Sequence, residues 1–318
     1  MARSKLKNKI TFAIMVIILV LSVAYFVLQY FGIKFPWQND GGRTPKPVTE
    51  GTLEVHMIDV GQGDCILVRA PEGDMLIDAG DKSDKAETAI KTYIDDLGIK
   101  AFDFVVFTHS DADHIGAADF VMSTYAVEKV IMPVDDVRDT TVYREMMTEI
   151  NGSDAEIVDA VPGNTYSIGE MEFKILAPIG EDYEDVNNYS VVFRIDFGQS
   201  SFLMTGDAEA ESEFEIVERY TAAELDCDVL KAGHHGSGTS SSASFLKLVT
   251  PDAAMISCGQ NNKYGHPHSD VLKRLEGYMS TDRIYRTDLL GDIVLVSDGE
   301  VIKYGETVII DESSEAAG

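Results

Sequence analysis

The chain has 318 residues, 45% of them hydrophobic, which suffices for one large folded domain or two ordinary ones and excludes a disordered or fibrous protein. Its 54 acidic residues against 26 basic ones give a formal net charge of -28. A surface that acidic repels polyanions, so a general nucleic-acid binder is disfavoured unless a local positive feature, such as bound metal, reverses the sign.

At the N-terminus, Arg3, Lys5, Lys7 and Lys9 precede 24 uncharged residues, Ile10–Ile33. A helix of that length spans the roughly 30 Å apolar core of a bilayer. The basic flank, residues 1–9, is expected to stay cytoplasmic, so residues 10–33 read as a single-pass anchor in the cell membrane with everything downstream extracellular. The run exceeds a signal-peptide core and has no clear small-x-small site after it. That favours an uncleaved anchor, although Ser22 and Ala24 leave cleavage open. Residues 34–51, "KFPWQNDGGRTPKPVTEG", lack a hydrophobic period and read as a linker.

The folded domain is expected over residues 52–305, with a frayed acidic tail over 306–318. "LEVHMIDV", "CILVRA" and "DMLIDAG" are short apolar or alternating runs between Gly-containing turns, hence consecutive strands. "DKAETAIKTYIDDLG" has helical period and stops at Gly98. Next come the strand "FDFVVF", a polar motif, a helix from about Ile115 to Tyr125, and the strand "KVIMP". Residues 135–178 mix helix and strand. "YSVVFRIDF" and "SSFLMTGD" read as a strand pair, followed by a helix over "EAESEFEIVERY", the strand "CDVLKAG", and further strand and helix pairs to "IVLVSDGEVIKYG". Two sheets packed face to face with helices outside satisfy this order. Cys65, Cys227 and Cys258 lie in apolar runs without C-x-x-C spacing and read as core thiols.

Six of the seven histidines fall at three strand ends, His56 being the exception. His109-x-Asp111-x-Asp113-His114 sits where a strand gives way to a helix. A sharp turn there can aim two imidazoles and two carboxylates at one point, a donor set suited to divalent ions. Helix capping by Asp113 would explain only one residue of the four. Asp207 in "FLMTGDAEAE" could by itself be an N-cap. "DVLKAGHHGSG" puts His234, His235 and Ser237 in a small-residue loop where no helix or strand needs them, useful as ligand and proton donor. "NNKYGHPHSD" adds His266 and His268 around Pro267, with Ser269 or His268 able simply to precede a helix.

The order H-x-D-x-D-H, T-G-D, H-H-G-S resembles the metallo-β-lactamase superfamily of binuclear metallohydrolases, whose commoner signature has His at the third position. With "DVGQGD", "LIDAG", "NNYSVVF" and "YGHPH", the chain is similar to the hydrolase domain of the ComEC family of DNA-internalisation competence proteins, over roughly residues 52–305. The resemblance implies an α/β fold, the αββα four-layer sandwich, here with one N-terminal transmembrane helix. Only one membrane-length segment is read in the sequence, against that family's polytopic channel, so DNA transport is not expected to carry over. The resemblance implies two divalent ions, His109 and Asp111 on the first, Asp113, His114 and His234 on the second, and Asp207 between them. The superfamily's further histidine, expected before "SVVF", is missing, and Asn187, Asn188 and Ser190 stand in that region. An oxygen-rich first site makes manganese as credible as zinc. Asp59, Asp64 and Asp78 are expected to orient ligands, and Asn188, Ser190 and Ser237 to support the site or contact substrate. Hairpin geometry explains Gly61 and Gly63 at least as well as substrate contact.

The implied activity is metal-assisted hydrolysis of a phosphodiester or related ester, possibly in DNA. Asp113 would orient the attacking water, and His235 or His266 would hold a phosphate oxygen or protonate the leaving group. A cell-wall phosphodiesterase, a phosphocholine-type esterase, or a sensory ectodomain without turnover are the rivals.

Overall fold

The alternation of inward and outward apolar residues along short strands builds the domain. The computed structural model describes residues 51–136 and 138–311. The basic flank, the expected membrane span, residues 34–50 of the linker and residues 312–318 lie outside the described residues. Among the described residues no helix is long and apolar enough to cross a membrane.

In chain order the strands are β1 (Leu53–Met57), β2 (Ile66–Ala70), β3 (Gly73–Ile77), β4 (Ala101–Val106), β5 (Ala126–Met132), β6 (Glu156–Asp159), β7 (Thr165–Ile168), β8 (Met171–Ala177), β9 (Val192–Phe197), β10 (Ser200–Met204), β11 (Val229–Lys231), β12 (Ala253–Ile256), β13 (Ile284–Arg286), β14 (Ile293–Ser297), β15 (Val301–Tyr304) and β16 (Thr307–Asp311). One sheet has the order β16-β15-β14-β1-β2-β3-β4-β5-β6 and the other β13-β12-β11-β10-β9-β8-β7. Each sheet is antiparallel in one half and parallel in the other, β3 to β6 and β10 to β13. Parallel neighbours need a crossover, and helices supply it: Asp84–Asp96, Ala118–Thr124 and Thr141–Gly152 in the first sheet. Ala210–Arg219, Ala243–Val249 and Ser269–Leu275 do so in the second.

The helices cover the outer faces, so the layers run helix, sheet, sheet, helix. Val68 of β2, Phe104 of β4, Phe173 of β8 and Phe202 of β10 meet between the sheets. Their strand neighbours Leu67, Val105 and Leu203 point the other way and pack under helices. Burial at Ala86, Ile90 and Ile94 follows the expected helical stripe, which begins where Ser83 accepts a hydrogen bond from the Ala86 amide. Cys65, Cys227 and Cys258 are free and buried.

Two boundaries differ from the sequence reading. The helix expected from Ile115 to Tyr125 is two pieces, Ala112–Ile115 and Ala118–Thr124. Between them Gly116 packs so tightly that a Cβ would lie 2.1 Å from the backbone carbonyl carbon of Asp81. At the C-terminus the sheet continues past residue 305, because Gly305 turns the chain and β16 pairs with β15.

This topology gathers the C-terminal ends of β3, β4, β10, β11 and β12 at one rim. Ligand sites of open α/β sheets form at such ends, where loops leave rigid strands.

Candidate metal centre

Four buried side chains converge at that rim. Ligand atoms of Asp64, His114, Asp207 and His235 lie within 4.8 Å of one another. His114 Nε2 is 3.2 Å from Asp207 Oδ1, and His235 Nε2 is 3.3 Å from Asp207 Oδ2. Close approach is not hydrogen bonding here. Asp64 Oδ1, His114 Nε2, Asp207 Oδ1 and His235 Nε2 are buried and find no hydrogen-bond partner among the described residues, and His109 Nε2 is in the same state. Leaving so many polar atoms orphaned is costly unless something else binds them.

Each ring is fixed from behind. Asp78 Oδ2 sits 2.8 Å from His114 Nδ1, while the same carboxylate accepts from the Thr108 amide and hydroxyl. Ser257 O lies 2.9 Å from His235 Nδ1. Lys231, at the end of β11, is fully buried; its ammonium donates to Gly206 O at 2.6 Å, contacts Asp64 and lies 3.6 Å from Asp207.

Residues 58–260 match the family described as Metallo-beta-lactamase superfamily. The chain belongs to the metallo-β-lactamase superfamily. It is 34% identical to ComE operon protein 3 of Bacillus subtilis over 266 residues, 78% of this chain and 33% of that protein. It is 32% identical to Recombination protein 2 of Haemophilus influenzae over 238 residues, 74% of this chain and 28% of that protein. The chain thus spans a third or less of the length of these relatives. A solved structure, the metallo-β-lactamase fold protein YhfI from Bacillus subtilis, is 11% identical with a TM-score of 0.48, covering 73% of this chain and 95% of that one.

The superfamily implies divalent ions, and the residues present fit them. Two carboxylates and two imidazoles with unsatisfied inward atoms are a mixed oxygen and nitrogen donor set for a borderline or hard ion. Of the expected ligands, the structure brings His114 and Asp207 into the compact group. It also puts there His235, expected to contact substrate, and Asp64, expected only to orient a ligand. His234 stands outside it, its Nε2 3.8 Å from Asp207 Oδ2 and its side chain 24% exposed. His109 is buried beside the group, its ring centroid 4.1 Å from that of His114. Asp113 borders it, Oδ2 lying 3.4 Å from His235 Nε2. Asp111 precedes the short helix, half-buried, with no capping bond from its side chain.

Other expected contributors have partners of their own. Asp59 accepts from the Gly61 amide and so shapes its own loop. Asn188 Oδ1 accepts from the amides of Glu209 and Ser212, capping the helix Ala210–Arg219, which leaves Asp207 free of that task. Ser237 bonds Thr239 within its turn. Ser190 Oγ does touch the site, accepting from the Asp207 amide and lying 3.4 Å from His109 Nδ1. His266 is mostly buried, 5.5 Å from His234 by ring centroids, with Nδ1 unpartnered. His56 lies apart, paired with Tyr93 and Glu54.

Asp64 reaches the group because Gly63 adopts φ 129 and lets the two motifs touch. A Cβ at Gly63 would lie 2.3 Å from Asp113 O, which also accepts from the Asp64 amide at 3.1 Å. Gly63→Ala is therefore expected to cost about 1–3 kcal/mol of stability and to weaken ion binding, read by denaturant unfolding and metal titration. Unchanged values in both would contradict this placement.

Charge in the metal-free site is self-compensating. Burial opposes ionisation of Asp64, but Lys231 and His235 outweigh it and pull its carboxyl down to about 2. Burial likewise opposes ionisation of Asp207 and Asp113, and the neighbouring histidines still hold both well below the usual range. Burial pushes His114 and His235 down, yet Asp207 with Asp78 or Asp64 raises both well above an ordinary imidazole. The depressed carboxylates contribute stability that is complete above about pH 4 and lost as pH falls through their folded values. The raised histidines contribute stability that is complete below about pH 6.5 and lost as pH rises through theirs. His109 and His266, pushed down chiefly by burial, work the other way, their contribution being complete above about pH 6.5 and lost as pH falls, so with chelator present thermal stability is expected to peak near pH 6.5. A melting temperature still climbing above neutrality would refute this.

Proposed function

We propose that this domain is a metal-dependent phosphodiesterase acting on nucleic acid at the outer face of the cell membrane, anchored by residues 10–33. The observation that carries the hydrolase reading is the set of orphaned, buried Nε2 and carboxylate atoms converging from separate strand ends. Bound there, a divalent ion, manganese or zinc, supplies Lewis acidity toward a phosphoryl oxygen and lowers the pKa of water toward neutrality. It also supplies the local positive charge that a chain of net charge -28 needs to approach an anion. The names of the relatives, a recombination protein and a ComE operon protein, favour nucleic acid over a cell-wall ester.

His114, His235, Asp64 and Asp207 would hold the ion, with Asp78 and Ser257 O fixing the two rings. Asp113 is the carboxylate at the open side, 30% exposed, and is ionised, so it can accept a hydrogen bond from the attacking water and orient it. His235 has one nitrogen on Ser257 O and the other in the cluster, which leaves it no proton to give a leaving group. Burial and then the neighbouring His234 and His235 bring His266 down to about 4. It is neutral at pH 7 and suited to hold a substrate oxygen through its N–H.

The test is hydrolysis of bis-p-nitrophenyl phosphate, single-stranded DNA and duplex DNA with added manganese, against an Asp113→Ala, His114→Ala double variant. Turnover at least about 100-fold above that variant is expected. No turnover above it would leave a binding ectodomain that keeps the fold. Cleavage of the domain by protease added to intact cells is the expected sign of outward orientation, and protection would overturn it.

A further inference from the structure

The loop that leaves β12 carries an aromatic ring that the core does not use. Tyr264 is 50% exposed, and its ring stacks on that of His266, with centroids 5.6 Å apart and planes at 22°. His266 in turn lies 6.3 Å from His235 with planes at 27°, and His235 Nε2 is 3.3 Å from Asp207 Oδ2. Three rings, each near-parallel to the next, thus run from solvent to the metal centre.

The outer ring sits on a loop that is fixed by its own hydrogen bonds. Asn262 Oδ1 accepts from the amides of Tyr264 and His266, at 3.2 and 3.0 Å, and its Nδ2 donates to Gly259 O at 2.9 Å and to His266 O at 2.6 Å. A ring held out on such a loop loses little freedom when something stacks on it. Lys263, also exposed, places Nζ 4.9 Å from the centre of the same ring.

A chain of net charge -28 gains little by tracking a phosphate backbone with basic groups, so a nucleic-acid strand has to be held by uncharged contacts as well. Stacking of a base on an aromatic side chain is such a contact, and it tolerates any sequence because every base has a π face. Single strands offer their bases for it, whereas a duplex keeps them stacked on one another.

We propose that Tyr264 is a stacking platform for a base of single-stranded nucleic acid, beside the phosphodiester that enters the metal centre. This rests on the phosphodiesterase reading and deepens it to a substrate class. His266 holds a phosphate oxygen, Tyr264 takes the neighbouring base one ring farther out, and Lys263 is the cation next to that base.

Manganese-dependent hydrolysis by the full chain, measured on two single strands of equal length, one carrying bases and one abasic throughout, separates stacking from mere support of His266. The abasic strand keeps the charge and loses the π faces. For wild type, KM on the strand with bases is expected to be about 10-fold or more below that on the abasic strand. Tyr264→Leu, which keeps an apolar cover on His266, and Tyr264→Ala should both bring the two KM values together, while Tyr264→Trp should keep them about 10-fold apart. A tyrosine that only positions His266 would change both strands alike and leave the ratio as in wild type, which would overturn the proposal. Equal KM values in wild type, or loss of the ratio in Tyr264→Trp, would also overturn it. Should Tyr264→Ala fail to fold by circular dichroism, Tyr264→Leu decides. A folded wild type that hydrolyses neither strand would instead bring down the phosphodiesterase reading itself.

Discussion

Lys231→Met is expected to lower the unfolding free energy of the metal-free chain by about 3–5 kcal/mol, the range for removing one partner of a buried ion pair. Lys231 is 1% exposed, touches Asp64, and lies 3.6 Å from Asp207. Burial works against its charge, yet Asp64 and then Asp207 keep its pKa above that of a free lysine. Methionine preserves most of the stem and removes the charge, leaving two buried carboxylates facing histidines alone, His114 and His235 and, for Asp207, His234. It also strips Gly206 O of its donor. A divalent ion in the cluster would neutralise the same carboxylates, so saturating manganese should narrow the gap between variant and wild type. Urea unfolding in chelator and in manganese measures both. A loss below about 1 kcal/mol in chelator would show that Lys231 does not carry the charge balance of the site.

The strand ends were legible because the chain announces them. Apolar runs with period two stop at clusters of His, Asp and Gly, and a two-sheet α/β sandwich follows from that order. Which neighbour faces inward was not legible. His234 and His235 are adjacent and chemically identical, and only the left-handed backbone at both decides which ring enters the compact group. Asp64 read as a support because the glycine beside it has an adequate hairpin explanation. Its entry to the cluster depends on contact with Asp113, 49 residues away in sequence, which no local pattern encodes. Lys231 was hidden by its setting in "DVLKAG", where a lone charge in an apolar run is easily read as strand filler. Its signal was there: a lysine at the inner end of a buried parallel strand has no water to reach and needs an anion. Parallel pairing of β10 to β13 was equally unreadable, since register between distant strands is set by packing against the other sheet.

Asp207→Asn should abolish tight ion binding and reduce any hydrolysis by more than the roughly 10–100-fold that loss of a supporting partner costs. Among the described residues, Asp207 is the one side chain that approaches His114, His235 and His234 together, at 3.2, 3.3 and 3.8 Å. An amide keeps its shape and its backbone bond to Ser190 but offers one neutral oxygen in place of two charged ones. The natural comparison is Asp78→Asn, which touches the same His114 from behind and should fall within that 10–100-fold range. Stability should separate the two from Lys231→Met. In Asp207→Asn the Lys231 ammonium still has Asp64, so the metal-free chain should lose less than it does when the lysine itself is removed. Metal titration and urea unfolding of the three variants thus give two different orders, one for ion affinity and one for stability. Equal affinity losses in Asp207→Asn and Asp78→Asn would mean that Asp207 supports the site without binding the ion.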